Sequence, residues 1–292
     1  MIPTVKSYFS GAGGMDLGLL NAGIDIVQSL EIDPTCIETL SLNFKHKIIS
    51  ADIKDRTVLD QPKTDIVVGT YPCTKYSAIA DIHGTRTGED LFLHFFRHVA
   101  LEKPEAYVIE NVPGMRKFKV VMECFTKLPD YYVNVICPVD AINWLPQRRE
   151  RLIIIGTRKP FNISAPSQQR RIKLKDIIEQ DPQIDVPNYV YSRMNGKWRD
   201  LPIISDPEDD NAVAPTCVAH YSKDLSTRLL KDKRFKMGVR PYTVREWARL
   251  QGFPDDFQFA GSPNQIYKQV GNAVAEPVGR WIGVQMNNYF NN

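Results

Sequence analysis

Two side chains with the chemistry of covalent and acid catalysis stand at the ends of apolar runs. In "DIVVGTYPCTKYS" (Asp65 to Ser77) an apolar stretch leads through Tyr71 and Pro72 to Cys73. A thiol delivered onto a loop in this way is placed to react, because inert cysteines are mostly buried among apolar groups. In "AYVIENVPGM" (Ala106 to Met115) a second run delivers Glu110 and Asn111. A carboxylate at the end of such a run is poorly solvated and suited to proton donation. Gln147, Arg149 and Arg151 alternate in "QRRERLIIIG". An extended chain puts all three on one face and aims two guanidinium groups at a polar or anionic ligand.

Near the N-terminus, "YFSGAGGMDLGLLNAG" (Tyr8 to Gly23) sets Gly11, Gly13 and Gly14 between an apolar run and a helical pattern. Glycines there let the backbone approach a nucleotide-like ligand. Glu31 follows about 20 residues later, where an acid accepts hydrogen bonds from ribose hydroxyls. Asp52, after the next apolar run, is where an acid meets an adenine amino group. Together these places point to an adenosine-containing cofactor without saying which. Each signal also has a plainer reading: glycines as a tight turn, Asp33 and Glu110 as helix N-caps, the arginines as a solvated charge run.

The elements that must position these groups alternate apolar runs with helical patterns from Thr4 to Thr157, as in parallel βαβ units. Strands are expected at Val5–Phe9, Ile24–Glu31, Ile48–Ser50, Asp65–Gly69, Ala106–Glu110, Tyr131–Cys137 and Leu152–Gly156. Helices are expected at Met15–Asn21, Pro34–Asn43, Asp90–Glu102 and Met115–Lys127, giving a doubly wound, mostly parallel α/β sheet. From Lys159 to Arg240 the chain becomes loop-rich, with 15 Lys or Arg against 11 Asp or Glu, a local excess of four positive charges. Two further helices are expected in "YTVREWARLQGF" and "KQVGNAVAEPVGRWIGVQM".

Composition closes off several classes of function. The 292 residues are 43 % hydrophobic and 24 % charged with a formal charge of +3, as in folded water-soluble chains. No apolar run approaches the ~18 residues of a membrane span, and no secretory leader is evident. The five cysteines form no CxxC pair and no Cys/His metal spacing, so neither a disulfide scaffold nor a metal site is expected.

In order and spacing, these motifs resemble the cytosine-C5 DNA methyltransferases of compact microbial type. The resemblance rests on Phe9-Ser10-Gly11-Ala12-Gly13-Gly14, Glu31, Asp52, Pro72-Cys73, Glu110-Asn111-Val112, Gln147-x-Arg149-x-Arg151, "REWARLQGFPD" and "QVGNAV". It implies a Rossmann-like catalytic and cofactor-binding domain over residues 1–158, a smaller loop-rich target-recognition domain over 159–261, and a segment 262–292 returning to the first domain. It also implies S-adenosylmethionine, with S-adenosylhomocysteine as product. The cofactor would lie against Phe9, Gly11, Gly13 and Gly14, with Glu31 at the ribose, Asp52 near the adenine, and Ile32, Ile53, Pro72, Leu91, Asn272 and Ala273 completing the pocket.

The resemblance further implies that a target cytosine rotates out of double-stranded DNA, since its reacting face is out of reach inside the duplex. Cys73 would add to C6, Glu110 would bond N3 and the exocyclic amine, and Arg149 would hold O2 with Arg151 beside it. "SAIADIHGTRTGED" would close over DNA on Gly84 and Gly88, carrying Ser77 and Arg86. Gln147, Thr216, and Arg170 and Arg171 of "SQQRRIKLKD" would contact nucleic acid, with "KDKRFKMGVR" adding charge for phosphates. The expected form is a cytoplasmic, nucleoid-associated monomer, with a cognate restriction endonuclease as an optional partner. An RNA substrate and a decayed DNA-binding subunit are the alternatives; the presence of Cys73, Glu110 and Arg149 opposes the second. Three positions depart from the family pattern: Thr70 replaces a Gly, Thr74 a Gln and Ala273 a Ser.

Overall fold

The computed structural model describes residues 2–58, 60–72, 91–169 and 172–292. Seven strands form one sheet: β1 (Thr4–Tyr8), β2 (Asp25–Glu31), β3 (Lys47–Ser50), β4 (Ile66–Gly69), β5 (Ala106–Asn111), β6 (Tyr132–Asp140) and β7 (Glu150–Thr157). Their order is β3-β2-β1-β4-β5-β7-β6, parallel except where β7 runs antiparallel to β5 and β6. The chain winds from β1 outwards to β3, then crosses to β4 on the other flank of β1. The carboxyl ends of β1 and β4 therefore frame the crevice in which open α/β sheets bind ligands.

The sheet is covered on both faces, which is why β4 and β5 are buried throughout and read as unbroken apolar runs. Helices α1 (Gly14–Asn21), α2 (Pro34–Asn43), α3 (Leu91–Glu102) and α4 (Lys119–Thr126) follow the expected positions. The stretch expected as one helix from Met115 to Lys127 is instead a 3-10 turn, Pro113–Lys117, followed by α4. One apolar cluster joins Val5, Val68 and Ile155 to Met15 and Leu19. On the opposite face Tyr8, Val67 and Ile109 pack on Phe95 and Phe125.

Beyond β7 lie α5 (Leu174–Ile177), α6 (Asn188–Asn195) and a second sheet of three short strands, β8 (Ile203–Ser205), β9 (Arg228–Lys231) and β10 (Val239–Pro241), in the order β10-β9-β8. Next come α7 (Val244–Arg249), α8 (Pro263–Asn272) and α9 (Glu276–Asn291). The segment "KQVGNAVAEPVGRWIGVQM" thus spans two helices, because Pro277 suits the first turn of a helix and not its interior. Trp247 stacks on Tyr221 at 4.2 Å between ring centres and anchors the core of this part. No helix among the described residues is long and apolar enough to cross a membrane.

Helix α9 returns to the first sheet by packing on α1 through glycine. A Cβ on Gly18 would lie 2.4 Å from both the Glu276 carbonyl and the Arg280 nitrogen. Asn21 Nδ2 donates to Glu276 Oε1 (2.8 Å) and Asn287 Nδ2 to the Ala22 carbonyl (2.6 Å). Since backbone and not a movable side chain opposes the added carbon, Gly18→Ala is expected to lower stability by about 1–3 kcal/mol. A urea midpoint equal to that of the unaltered chain would show instead that the helices can part at no cost.

Candidate active site

A cavity of about 630 Å³ opens at the carboxyl edge of the large sheet. Its first wall is the loop after β1. Phe9 and Gly11, both at positive φ (61° and 55°), line it together with the buried Ser10. A bulky residue in the left-handed region costs about 1–2 kcal/mol, so Phe9 is held there by its surroundings. On one side Ser10 N donates to the Leu30 carbonyl (3.2 Å) and Gly11 N to Glu31 Oε2 (2.7 Å). On the other, Thr70 Oγ1 donates to the Phe9 carbonyl (2.9 Å). Beneath the loop, the buried Asp16 accepts from Ser7 Oγ (2.5 Å) and Ser29 Oγ (2.6 Å), and burial pushes its carboxyl above the usual range.

Gly13 and Gly14 serve a different purpose from the one expected: neither lines the cavity. Gly13 precedes α1 at φ 83°, and a Cβ there would lie 2.4 Å from the Phe44 ring. On Gly14 it would lie 2.1 Å from the Val274 carbonyl. These two glycines seat α1 against the rest of the chain, and of the three it is Gly11 that lines the cavity.

The second wall comes from β2 and β3. Glu31 Oε1 accepts from Ile32 N (2.7 Å) and Asp33 N (2.9 Å), while Oε2 holds Gly11. A carboxylate offers about four lone-pair directions, so capacity for one hydroxyl remains. Asp52 caps the 3-10 turn Ile53–Asp55 through Lys54 N (3.0 Å) and pairs with Lys54 Nζ at 3.2 Å. Ile32, 59 % exposed, and the buried Ile53 complete this wall with apolar surface. Leu91, Asn272 and Ala273 also line the cavity.

The remaining wall carries the polar chemistry. Thr70, Tyr71 and Pro72 line it where β4 ends, and Asn111 Nδ2 donates to the Tyr71 carbonyl (3.0 Å), tying that exit to β5. Glu110 Oε1 meets Arg151 Nε at 2.8 Å, both side chains largely buried. Arg149 also reaches the cavity wall, but its guanidinium donates to three carbonyls: Cys217 (2.7 Å), Gly271 (3.1 Å) and Ala273 (2.7 Å). It is thus Arg151, not Arg149, that stands beside Glu110, because Arg149 is drawn into tying β7 to the end of α8.

Against this geometry, the sequence profile of C-5 cytosine-specific DNA methylases matches residues 4–288. The chain belongs to the C-5 cytosine-specific DNA methylase family. It is an enzyme of the DNA (cytosine-5-)-methyltransferase class. Among its relatives, the Type II methyltransferase M.Bsp6I of Bacillus sp. (strain RFL6) is 30 % identical over 310 residues, covering 95 % of this chain and 96 % of that protein. The Type II methyltransferase M.NlaX of Neisseria lactamica is 30 % identical, covering 97 % and 95 %. In fold, the chain is similar to the Entamoeba histolytica methyltransferase EhMeth (TM-score 0.82, 18 % identity, all of both chains). It is also similar to the S. pombe Dnmt2 methyltransferase (TM-score 0.78, 22 % identity, 98 % and 99 %).

Of the residues that the family resemblance singled out, Cys73, Ser77, Arg86, Arg170 and Arg171 lie outside the described residues. Gln147, expected at the nucleic acid, lies inside the protein. It is fully buried, donates to the Leu250 carbonyl (2.6 Å) and accepts from Cys217 N (2.8 Å). Thr216 Oγ1 donates to the Arg148 carbonyl (2.7 Å). The basic segments of the methylase are also less available than expected. Lys173 and Lys175 pair with Asp210, Lys231 with Asp206, and Arg234 and the buried Arg240 with Asp232, whose carboxyl they hold well below its usual range. Sequence reasoning missed the cavity-lining Lys268, which pairs with Asp33 at 3.0 Å across 235 positions that no local pattern connects.

Proposed function

We propose that the chain transfers a methyl group from S-adenosylmethionine to C5 of a cytosine flipped out of double-stranded DNA. The observation that carries this reading is one cavity that joins the Phe9, Glu31 and Asp52 wall to the Glu110–Arg151 pair and Pro72. The first wall fits the cofactor. Glu31 retains acceptor capacity for a ribose hydroxyl, Asp52 offers an acceptor to an adenine amine, and Ile32 presents apolar surface to a purine face. When bound there, S-adenosylmethionine supplies an electrophilic methyl group.

The residues at the other end prepare the base. C5 of cytosine is a weak nucleophile in its aromatic ring, and addition of the Cys73 thiolate to C6 makes C5 an enamine carbon. Negative charge then spreads over the ring. Glu110, sharing a proton with N3 and accepting from the exocyclic amine, takes up that charge, and Arg151 donates to O2. Donors aimed in advance where charge develops contribute about 3–4 kcal/mol each to the barrier. Loss of the C5 proton to a base and expulsion of Cys73 complete the cycle.

Residues 159–261 form the recognition domain in this reading, 1–158 the catalytic domain and 262–292 its returning segment. A monomer acting in the cytoplasm beside a restriction endonuclease of the same specificity suits a chain whose relatives are named Type II methyltransferases. The test supplies methyl-labelled S-adenosylmethionine with unmethylated DNA and, in parallel, unmodified RNA, followed by digestion to nucleosides. Labelled 5-methyldeoxycytidine is expected; label only in 5-methylcytidine would move the substrate to RNA.

A further inference from the structure

Phe9 adopts φ 61° without being glycine, and its ring helps form the cofactor wall of the cavity. Such a backbone persists only where neighbours over-determine it. The neighbour on the β4 side is Thr70. Its backbone nitrogen donates to the Tyr8 carbonyl (3.3 Å) and extends the β1–β4 ladder by one step; its hydroxyl donates to the Phe9 carbonyl (2.9 Å). Thr70 itself is half-buried and lines the same cavity. The Phe9 ring in turn meets Tyr71 edge-on, with centroids 6.2 Å apart, and Tyr71 OH donates to Met115 Sδ (3.0 Å). A glycine at position 70 would keep the ladder bond but lose the clamp, so the contact belongs to this chain's departure from the family pattern.

We propose that Thr70 is a positioning residue for the cofactor: its hydroxyl locks the Phe9 peptide so that the ring stands ready against the bound nucleoside. Without it, the Phe9 carbonyl loses a partner and the peptide relaxes towards extended geometry. Binding must then restore the left-handed conformation before the ring can make contact. The inference rests on S-adenosylmethionine as the cofactor, and it concerns the hydroxyl alone, since valine has the same branched shape without the donor.

The experiment compares the full-length protein with T70V and T70S, using S-adenosylmethionine itself as the probe in titration calorimetry. T70V is expected to bind about tenfold more weakly, the scale of one lost hydrogen bond that leaves an acceptor unsatisfied, and T70S to recover most of that affinity. In steady state the T70V loss falls on KM for the cofactor more than on kcat. Hydrogen exchange without cofactor reads the clamp directly: amides of residues 9–11 exchange faster in T70V and not in T70S. Equal affinity of T70V and the unaltered protein would overturn the proposal, as would a T70S loss as large as that of T70V, which would make the methyl group responsible. Absence of binding by the unaltered protein would overturn the cofactor reading and the proposal with it, whereas binding by it with no difference in T70V would overturn only the role of Thr70.

Discussion

Cys73→Ser is expected to lower methyl transfer to DNA by a factor on the order of 10⁴ to 10⁶, while binding of S-adenosylmethionine stays within about twofold. The scale is that of removing a covalent nucleophile whose partners act as a unit. A serine hydroxyl at neutral pH is almost wholly protonated and adds poorly to C6, so C5 never gains enamine character and the methyl acceptor is lost. Cofactor binding is spared because Phe9, Gly11, Glu31 and Asp52, which wall the cofactor end of the cavity, are left unchanged by the substitution. Labelled-methyl transfer under single-turnover conditions reads the first quantity and calorimetry the second. DNA carrying 5-fluorocytosine adds a third reading: fluorine at C5 cannot be removed as a proton is, so the unaltered enzyme is trapped on DNA and the serine variant is not. Turnover by the variant at the full rate would remove Cys73 as nucleophile.

The central strands of the large sheet were legible in the sequence because they are buried on both faces, so β4 and β5 present themselves as uninterrupted apolar runs. Glu31, Asp52 and Glu110 were legible for a related reason: each stands where such a run ends, and the end of a parallel strand is where the cavity lies. Long-range partnership was not legible. Gly13 and Gly14 look the same as Gly11 in sequence, and only the approach of Phe44 and the Val274 carbonyl shows that they pack rather than bind. Gln147 continues the alternation of Arg149 and Arg151, but its amide is committed to Leu250 and Cys217, far along the chain. The charge excess between residues 159 and 240 is real, yet a count of charges cannot show that Asp206, Asp210 and Asp232 already hold many of the cations.

The same limit explains why the two arginines exchange roles, and substitution should separate them. Arg149→Met removes the donors to the Cys217, Gly271 and Ala273 carbonyls at a site where Arg149 is 2 % exposed. Gln251 Nε2 still donates to the Ala273 carbonyl (3.0 Å), but the Cys217 and Gly271 carbonyls lose their side-chain donor. With each buried acceptor left unsatisfied costing about 1–3 kcal/mol, a stability loss of about 2–5 kcal/mol is expected. The loss should be large because nothing of similar reach can replace the fork: a lysine presents a single point charge to three divergent carbonyls. Arg151→Gln leaves the largely buried Glu110 without its ion-pair partner, and water entering from the cavity replaces that contact only in part, so a stability loss of about 1–2 kcal/mol is expected, smaller than that of Arg149→Met. Its effect falls on turnover, a drop in kcat on the order of 10² to 10³, because the donor to the developing charge at O2 is gone. Denaturant midpoints and single-turnover rates of the two variants together decide the matter. If Arg149→Met kept its midpoint and lost turnover while Arg151→Gln unfolded readily, the guanidinium aimed at the base would be that of Arg149. The ion pair between Arg151 and Glu110 would then be a structural contact that happens to line the cavity.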